Sequence, residues 1–208
     1  MKEYFVFRGK QYKYFIHPYN TTWANERKVE LPLAIEVTNE YNENEILEIG
    51  NTLKHYIPLF HTVIDKYEHG DGVINEDVTT FHLNRKFALI ISISTLEHIG
   101  NPITDPQEEF EPYKILKAIE NLKRHLQKDG KIWITLPKGQ NPYVDEVISD
   151  DRLRFDEMYC LKRNKETDDW TETTWNDIKN YTLQGPYFHG ADALIIGIIF
   201  GEEKRINV

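Results

Sequence analysis

Apolar residues in this chain fall into short runs, and four successive runs between residues 45 and 98 each end in polar side chains. The first, residues 45–50, closes on Glu48-Ile49-Gly50, and the second, residues 61–64, delivers Asp65. The third, residues 72–75, delivers Glu76 and Asp77, and the fourth, residues 87–94, runs into Thr95-Leu96-Glu97-His98. Short apolar, β-branched runs bounded by turn formers predict buried strands. Ligands of an open parallel sheet sit outside the carboxyl ends of its strands. Polar residues at four such ends therefore predict a binding crevice.

The flanking pattern fills in an α/β domain. Residues 3–19 are aromatic and β-branched around Arg8-Gly9-Lys10, which predicts a hairpin acting as a lid or an edge extension. Val29, Leu33, Ile35 and Val37 predict a helix within residues 25–41, mainly from Glu30 onward because Pro32 suits only a first turn or a kink. Between Gly50 and His61 there is room for only about ten residues, with Pro58 among them, so the crossover there is short or distorted. Residues 108–127 read as the strongest helix, with acids first, Leu116, Ile119 and Leu122 on one face, and Asp129-Gly130 as its stop. Residues 131–136 read as a fifth strand and residues 141–150 as a short helix. Two last strands, residues 155–163 and 193–201, enclose a polar stretch, residues 164–180, that reads as a short strand plus loop. The expectation is one domain over residues 1–208, with residues 1–23 as the hairpin extension and residues 24–208 as the core.

The order of acids at the strand ends, with Leu96-Glu97-His98 after the fourth, resembles the class I S-adenosylmethionine-dependent methyltransferases over roughly residues 45–137. A poorly characterised subgroup carries N-E-R-x-V-E, D-K-Y-E and I-N-E-D-V segments, matched here by Asn25–Glu30, Asp65–Glu68 and Ile74–Val78. The resemblance implies a doubly wound, mostly parallel, seven-stranded Rossmann-like sheet whose final strand is antiparallel and inserted. It also implies S-adenosylmethionine as cofactor. One departure stands out: the family's E-x-G-x-G-x-G is here Glu48-Ile49-Gly50-Asn51-Thr52-Leu53-Lys54, so only the first glycine is kept. Asn51 tolerates left-handed backbone better than most residues and stands ready to replace a glycine.

The same resemblance implies roles for single residues. Glu48 orients the loop and the ligand's amino group, and Gly50 lets the methionine part approach. Asp65 accepts both ribose hydroxyls, while Lys66 and Tyr67 flank the ribose or adenine. Asp77 and Val78 grip the adenine. Ser94 lies nearest the reacting centre, where Glu97 and His98 act as general base for a substrate hydroxyl or pack the cofactor. For each acid the plainer alternative is a strand-end turn. His17, Tyr19, Asn20, Trp23, Asn25, Glu26 and Arg27 form a polar, aromatic cluster suited to cover the pocket and bind an acceptor, or to serve as a polar lid.

Composition narrows the partners. A formal charge of −9 over 208 residues argues against broad nucleic-acid or anionic-membrane binding. Cys160 is the only cysteine, and the N-terminus is charged and aromatic, which together predict a cytoplasmic protein. The strongest apolar run, residues 193–200, is far shorter than the roughly 20 residues a spanning helix needs. No metal is expected, because the eight histidines are scattered without H-E-x-x-H or C-x-x-C spacing. G-x-G-x-x-G is absent, which weakens a nicotinamide dehydrogenase. Two functions stay open: a methyltransferase acting on a small-molecule or glycan-type acceptor, and a catalytically inactive methyltransferase-fold binding or partner protein.

Overall fold

The computed structural model describes residues 2–182 and 190–205. A hairpin of β1 (Tyr4–Phe7) and β2 (Lys10–Lys13) leads through a 3-10 segment, Tyr19–Ala24, into α1 (Arg27–Thr38). Then come β3 (Ile46–Ile49), a 3-10 turn at Leu53–His55, β4 (Thr62–Ile64), β5 (Val73–Ile74) and β6 (Phe87–Ile93). The remainder is α2 (Lys114–Arg124), β7 (Leu126–Pro137), α3 (Pro142–Ser149), β8 (Glu157–Arg163), β9 (Trp170–Thr173), α4 (Trp175–Ile178), β10 (Ala193–Phe200) and α5 (Glu202–Arg205).

The large sheet runs β5-β4-β3-β6-β7-β10-β8-β9. Its five strands from β5 to β7 are parallel, and β10 enters antiparallel between β7 and β8. The inserted last strand is as expected, but the sheet has eight strands rather than seven. The extra strand is β9, which the polar stretch after β8 supplies by folding back on it, Cys160 opposite Thr173. One face of the sheet is sealed by Ile115, Ile119 and Leu122 of α2 and Val144 and Val147 of α3. The other is covered by Val29, Leu33 and Ala34 of α1 together with Phe5, Phe7 and Tyr14 of the hairpin segment. The hairpin is therefore a core-forming cover on the sheet face, not a lid or an edge strand. Arg8 and Gly9 both take positive φ (51° and 74°), the backbone a two-residue hairpin turn requires.

Pro32 lies in the second turn of α1, later than the sequence suggests. A proline there removes the N–H that would bond the carbonyl four residues back, that of Lys28. That carbonyl instead accepts the Phe15 N–H at 3.0 Å, so the freed acceptor docks the chain that follows the hairpin.

Two boundaries differ from expectation. The acids at 108–111 precede α2 instead of opening it, because Tyr113 takes left-handed backbone (φ 65°) just before the helix. Asp129-Gly130 is not the helix stop: α2 ends at Arg124 and both residues lie inside β7. A side chain at Gly130 would meet the Ala88 carbonyl and Leu126 at 2.9 Å, beside a register shift between Phe87 and Leu89. That glycine serves a bulge between strands. The short crossover after β3 is as expected: the 3-10 turn Leu53–His55 is its only helical element, and Pro58 lies beyond it.

Candidate functional site

The carboxyl ends of β3, β4, β5 and β6 open onto one cleft of about 370 Å³. It is lined by Gly50, Asp65, Lys66, Asp77, Val78, Ser94 and His98 among others, so most of the residues singled out in sequence converge. A smaller polar cavity of about 170 Å³ adjoins it, lined by Tyr19, Asn20, Arg27, Asn51, Thr52 and His55. The two share Gly50, Asp65, Glu68 and Thr95. Glu48 and Glu97 line neither.

Glu48 is buried beneath the first loop. Its Oε1 accepts the Thr52 and Leu53 N–H groups at 3.0 and 2.8 Å, and its Oε2 lies 2.6 Å from His61 Nε2. Asp65 does similar work for the second loop: Oδ1 accepts the Tyr67 and Glu68 N–H groups at 2.9 and 2.7 Å, and Oδ2 accepts the Asn51 N–H at 3.2 Å. Gly50 is the one residue of the first loop with left-handed backbone, at φ 84°. Asn51 does not adopt it; its Nδ2 instead donates to Glu68 Oε1 at 2.6 Å. Carboxylate anchoring of backbone N–H groups thus replaces glycine flexibility in shaping the loop.

At the other end of the cleft, Asp77 is held by Thr79 and by two lysines, Lys114 at 3.1 Å and Lys66 at 3.2 Å. Burial pushes the Asp77 carboxyl up, but these hydrogen bonds and ammonium groups outweigh it and hold it well below the usual range. Both lysines also bond Glu108, which accepts the Gly100 N–H and the Tyr67 hydroxyl. Val78 is buried in the hydrophobic core and lines the cleft.

The third part of the site joins the two most distant motifs. Arg27 donates to the Ile93 carbonyl at 2.8 Å and to the Ser94 carbonyl at 3.4 Å, at the end of β6. Ser94, itself at φ 41°, donates its hydroxyl to Glu30, and Glu26 accepts the Ala191 N–H at 2.7 Å. Glu97 follows in the turn after β6, with its carbonyl held by Asn141 Nδ2, the residue that also caps α3. Its carboxyl is 1 % exposed and neither oxygen has a hydrogen-bond partner. Burial, reinforced by Glu30 and Glu26 and opposed by Arg27, raises it well above the ordinary 4.5. His98 places Nε2 3.6 Å from Glu97 Oε1 and lines the cleft; burial lowers its pKa, against the pull of Asp105.

A raised folded-state carboxyl contributes stability fully below its unfolded pKa and loses it as pH rises through the folded value. The denaturation midpoint of the wild type is therefore expected to fall more steeply than that of Glu97→Gln as pH rises above the ordinary carboxylate range. Parallel denaturant titrations of the two proteins check this; equal slopes refute it.

Of the N-terminal cluster, Tyr19, Asn20 and Arg27 line the polar cavity, with Tyr19 stacked on His55 at 4.4 Å. His17 and Asn25 shape the local backbone, and Trp23 is exposed outside both cavities. The sequence reading missed His61, Glu68 and Glu108. For Glu108 the misplaced start of α2 hid the signal; His61 lies just before β4 and carries no local signal, since only the folded chain brings it against Glu48. Among the described residues no group of three or more His, Cys, Asp or Glu is arranged to hold a metal ion, and no helix is long and apolar enough to cross a membrane.

No protein-family model matches the chain, and no curated protein matches it significantly. Solved structures do. The N-methyltransferase NodS from Bradyrhizobium japonicum WM9, in complex with S-adenosyl-L-homocysteine, superposes with TM-score 0.51 at 14 % identity, over 85 % of this chain and 87 % of NodS. A second NodS structure gives TM-score 0.50 at 14 % identity, over 85 % and 97 %. An S-adenosylmethionine-dependent methyltransferase from Clostridium acetobutylicum ATCC 824 gives 0.38 at 13 % identity, over 81 % and 89 %. The fold is that of the S-adenosylmethionine-dependent methyltransferases.

Proposed function

We propose that this protein binds S-adenosylmethionine and transfers its methyl group to a small-molecule or glycan-type acceptor. The observation that carries the reading is the pair of adjoining cavities meeting at Gly50 and Thr95, one larger and walled by Val78 and Ile99, the other polar and flanked by Arg27. A nucleoside suits the first, with Asp65 at the ribose and Asp77 and Val78 at the base. An amino-acid moiety suits the second, where Gly50 allows close approach and Asn51 and Thr52 offer polar groups. Bound there, the cofactor supplies a methyl group activated on a sulfonium. The chain's part is to orient: Glu48 fixes the first loop, Lys66 closes the nucleoside end, and Ser94 and His98, with Glu97 buried behind His98, line the cleft where an acceptor arrives in line.

The alternative, a non-catalytic binding protein on the same fold, draws support from a different observation. Three of the four acceptor positions on Asp65 are already used by backbone N–H groups, and Asp77 is claimed by two lysines. Calorimetric titration with S-adenosylmethionine and its demethylated product separates the readings. Binding by the wild type, weakened at least about tenfold in Asp65→Ala, is the expected result, since a charge-assisted bond is worth roughly 1.5–3 kcal/mol. No heat at about millimolar ligand, some four kcal/mol of affinity, would favour the partner reading.

A further inference from the structure

Among the described residues, Glu97 is the one buried carboxyl with neither oxygen hydrogen-bonded. Its carboxyl is buried with both oxygens unpartnered, yet it adjoins His98, which lines the larger cleft. The surrounding charge is one-sided. Glu26, just before α1, and Glu30, within it, face Glu97, with Arg27 the one cation among them, and Arg27 is spent on Glu30 and two carbonyls. The cleft wall continues the imbalance: six acids line it against Lys66, and Lys114 behind the wall pairs only with Asp77 and Glu108. A hydroxyl, phenol or carboxylate acceptor must attack with negative charge on the nucleophile, and surplus carboxylates raise the cost of that charge. An amine develops positive charge as it attacks, which the same carboxylates stabilise.

We infer that the acceptor is an amine, held as a cation in the cleft beside His98, and that His98 carries its proton between the cleft and the buried Glu97. This deepens the methyl-transfer reading and rests on it. As the ammonium arrives, Glu97 loses its own proton through His98. His98 then takes a proton from the nitrogen and passes it to the Glu97 carboxylate, and the freed lone pair forms the N–C bond to the methyl carbon. The C–S electron pair stays on sulfur, which leaves as a neutral thioether, and the methylated nitrogen carries the positive charge away. Asp105, facing His98, helps that imidazole accept the passing proton.

The test uses sinefungin, an adenosyl analogue bearing an amine where the methyl-sulfonium of the donor stands, against S-adenosylhomocysteine, which is neutral there. Titrations in two buffers of different ionisation enthalpy read affinity and proton release together. The wild type is expected to bind sinefungin at least about tenfold more tightly, with about one more proton released than on binding S-adenosylhomocysteine. In Glu97→Gln the affinity ratio falls toward one and the extra proton disappears. Equal wild-type affinities, or no extra proton, overturn the inference, whether or not the variant folds. An extra proton that survives in a folded Glu97→Gln also overturns it. Binding of neither analogue counts against the methyl-donor reading instead.

Discussion

Gly50→Ala is expected to lose at least about a hundredfold in affinity for S-adenosylhomocysteine, some 2.7 kcal/mol or more. Two effects add at this position. The backbone sits at φ 84°, where a β-carbon costs roughly 1–2 kcal/mol. The new β-carbon would also lie 2.2 Å from Thr95 Oγ1 and 2.8 Å from Thr95 Cγ2. The loop cannot retreat easily, because the Gly50 N–H is bonded to the Ile64 carbonyl at 2.9 Å, and the Thr95 hydroxyl is bonded to the Ile93 carbonyl. Since Gly50 and Thr95 line the junction of the two cavities, any shift narrows the passage between them. Calorimetry reads the loss, and Gly50→Ala combined with Thr95→Gly separates its parts: the clash is relieved and the backbone strain remains. Full affinity in Gly50→Ala would show that the ligand does not cross this junction.

Glu48→Ala is expected to be the most destabilising single change in the site, by about 3–5 kcal/mol, in line with removing one partner of a buried pair. It strips the Thr52 and Leu53 N–H groups and His61 Nε2 of their acceptor at once, all inside a carboxylate pocket with no exposure. Unmade buried hydrogen bonds cost about 1–3 kcal/mol each. In a chain of this size that corresponds to a melting temperature lower by roughly 6–20 °C. Glu48→Gln, which keeps an acceptor for one or two of the three donors, is expected to fall between. Thermal unfolding of the three proteins orders them; a Glu48→Ala protein as stable as wild type would mean that the loop has another anchor.

What could be read from sequence was governed by range. The parallel strands and the edge they share followed from apolar runs ending in Gly50, Asp65, Asp77 and Thr95, because period and turn chemistry are local. The shortness of the β3–β4 crossover followed from chain length and Pro58 alone. The eighth strand was half legible as a short strand after β8, but its pairing depends on a return fold that no local pattern specifies. The start of α2 was misread because acids before a helix look the same whether they cap it or turn aside. Tyr113 in left-handed backbone, an uncommon state for a non-glycine residue, makes Glu108 turn aside into the cleft. The site residues were legible as a set but not in their bonding. Nothing in the sequence says that Asp65 spends its lone pairs on its own loop, or that Arg27 reaches across 66 residues to the end of β6. Those are long-range facts, and only the assembled sheet brings their partners together.

Two carboxylates, Glu48 and Asp65, between them hold the backbone N–H groups of Asn51, Thr52, Leu53, Tyr67 and Glu68 by bonds internal to the fold. Fixing backbone costs about 1–2 kcal/mol per residue, and here that entropy is lost on folding rather than on binding. A glycine-rich loop of the same length would defer the loss to the moment of association. The rebuilt loop thus exchanges adaptability for readiness: a ligand of the right shape meets walls already in place, and one slightly too large meets a loop with few other shapes to offer.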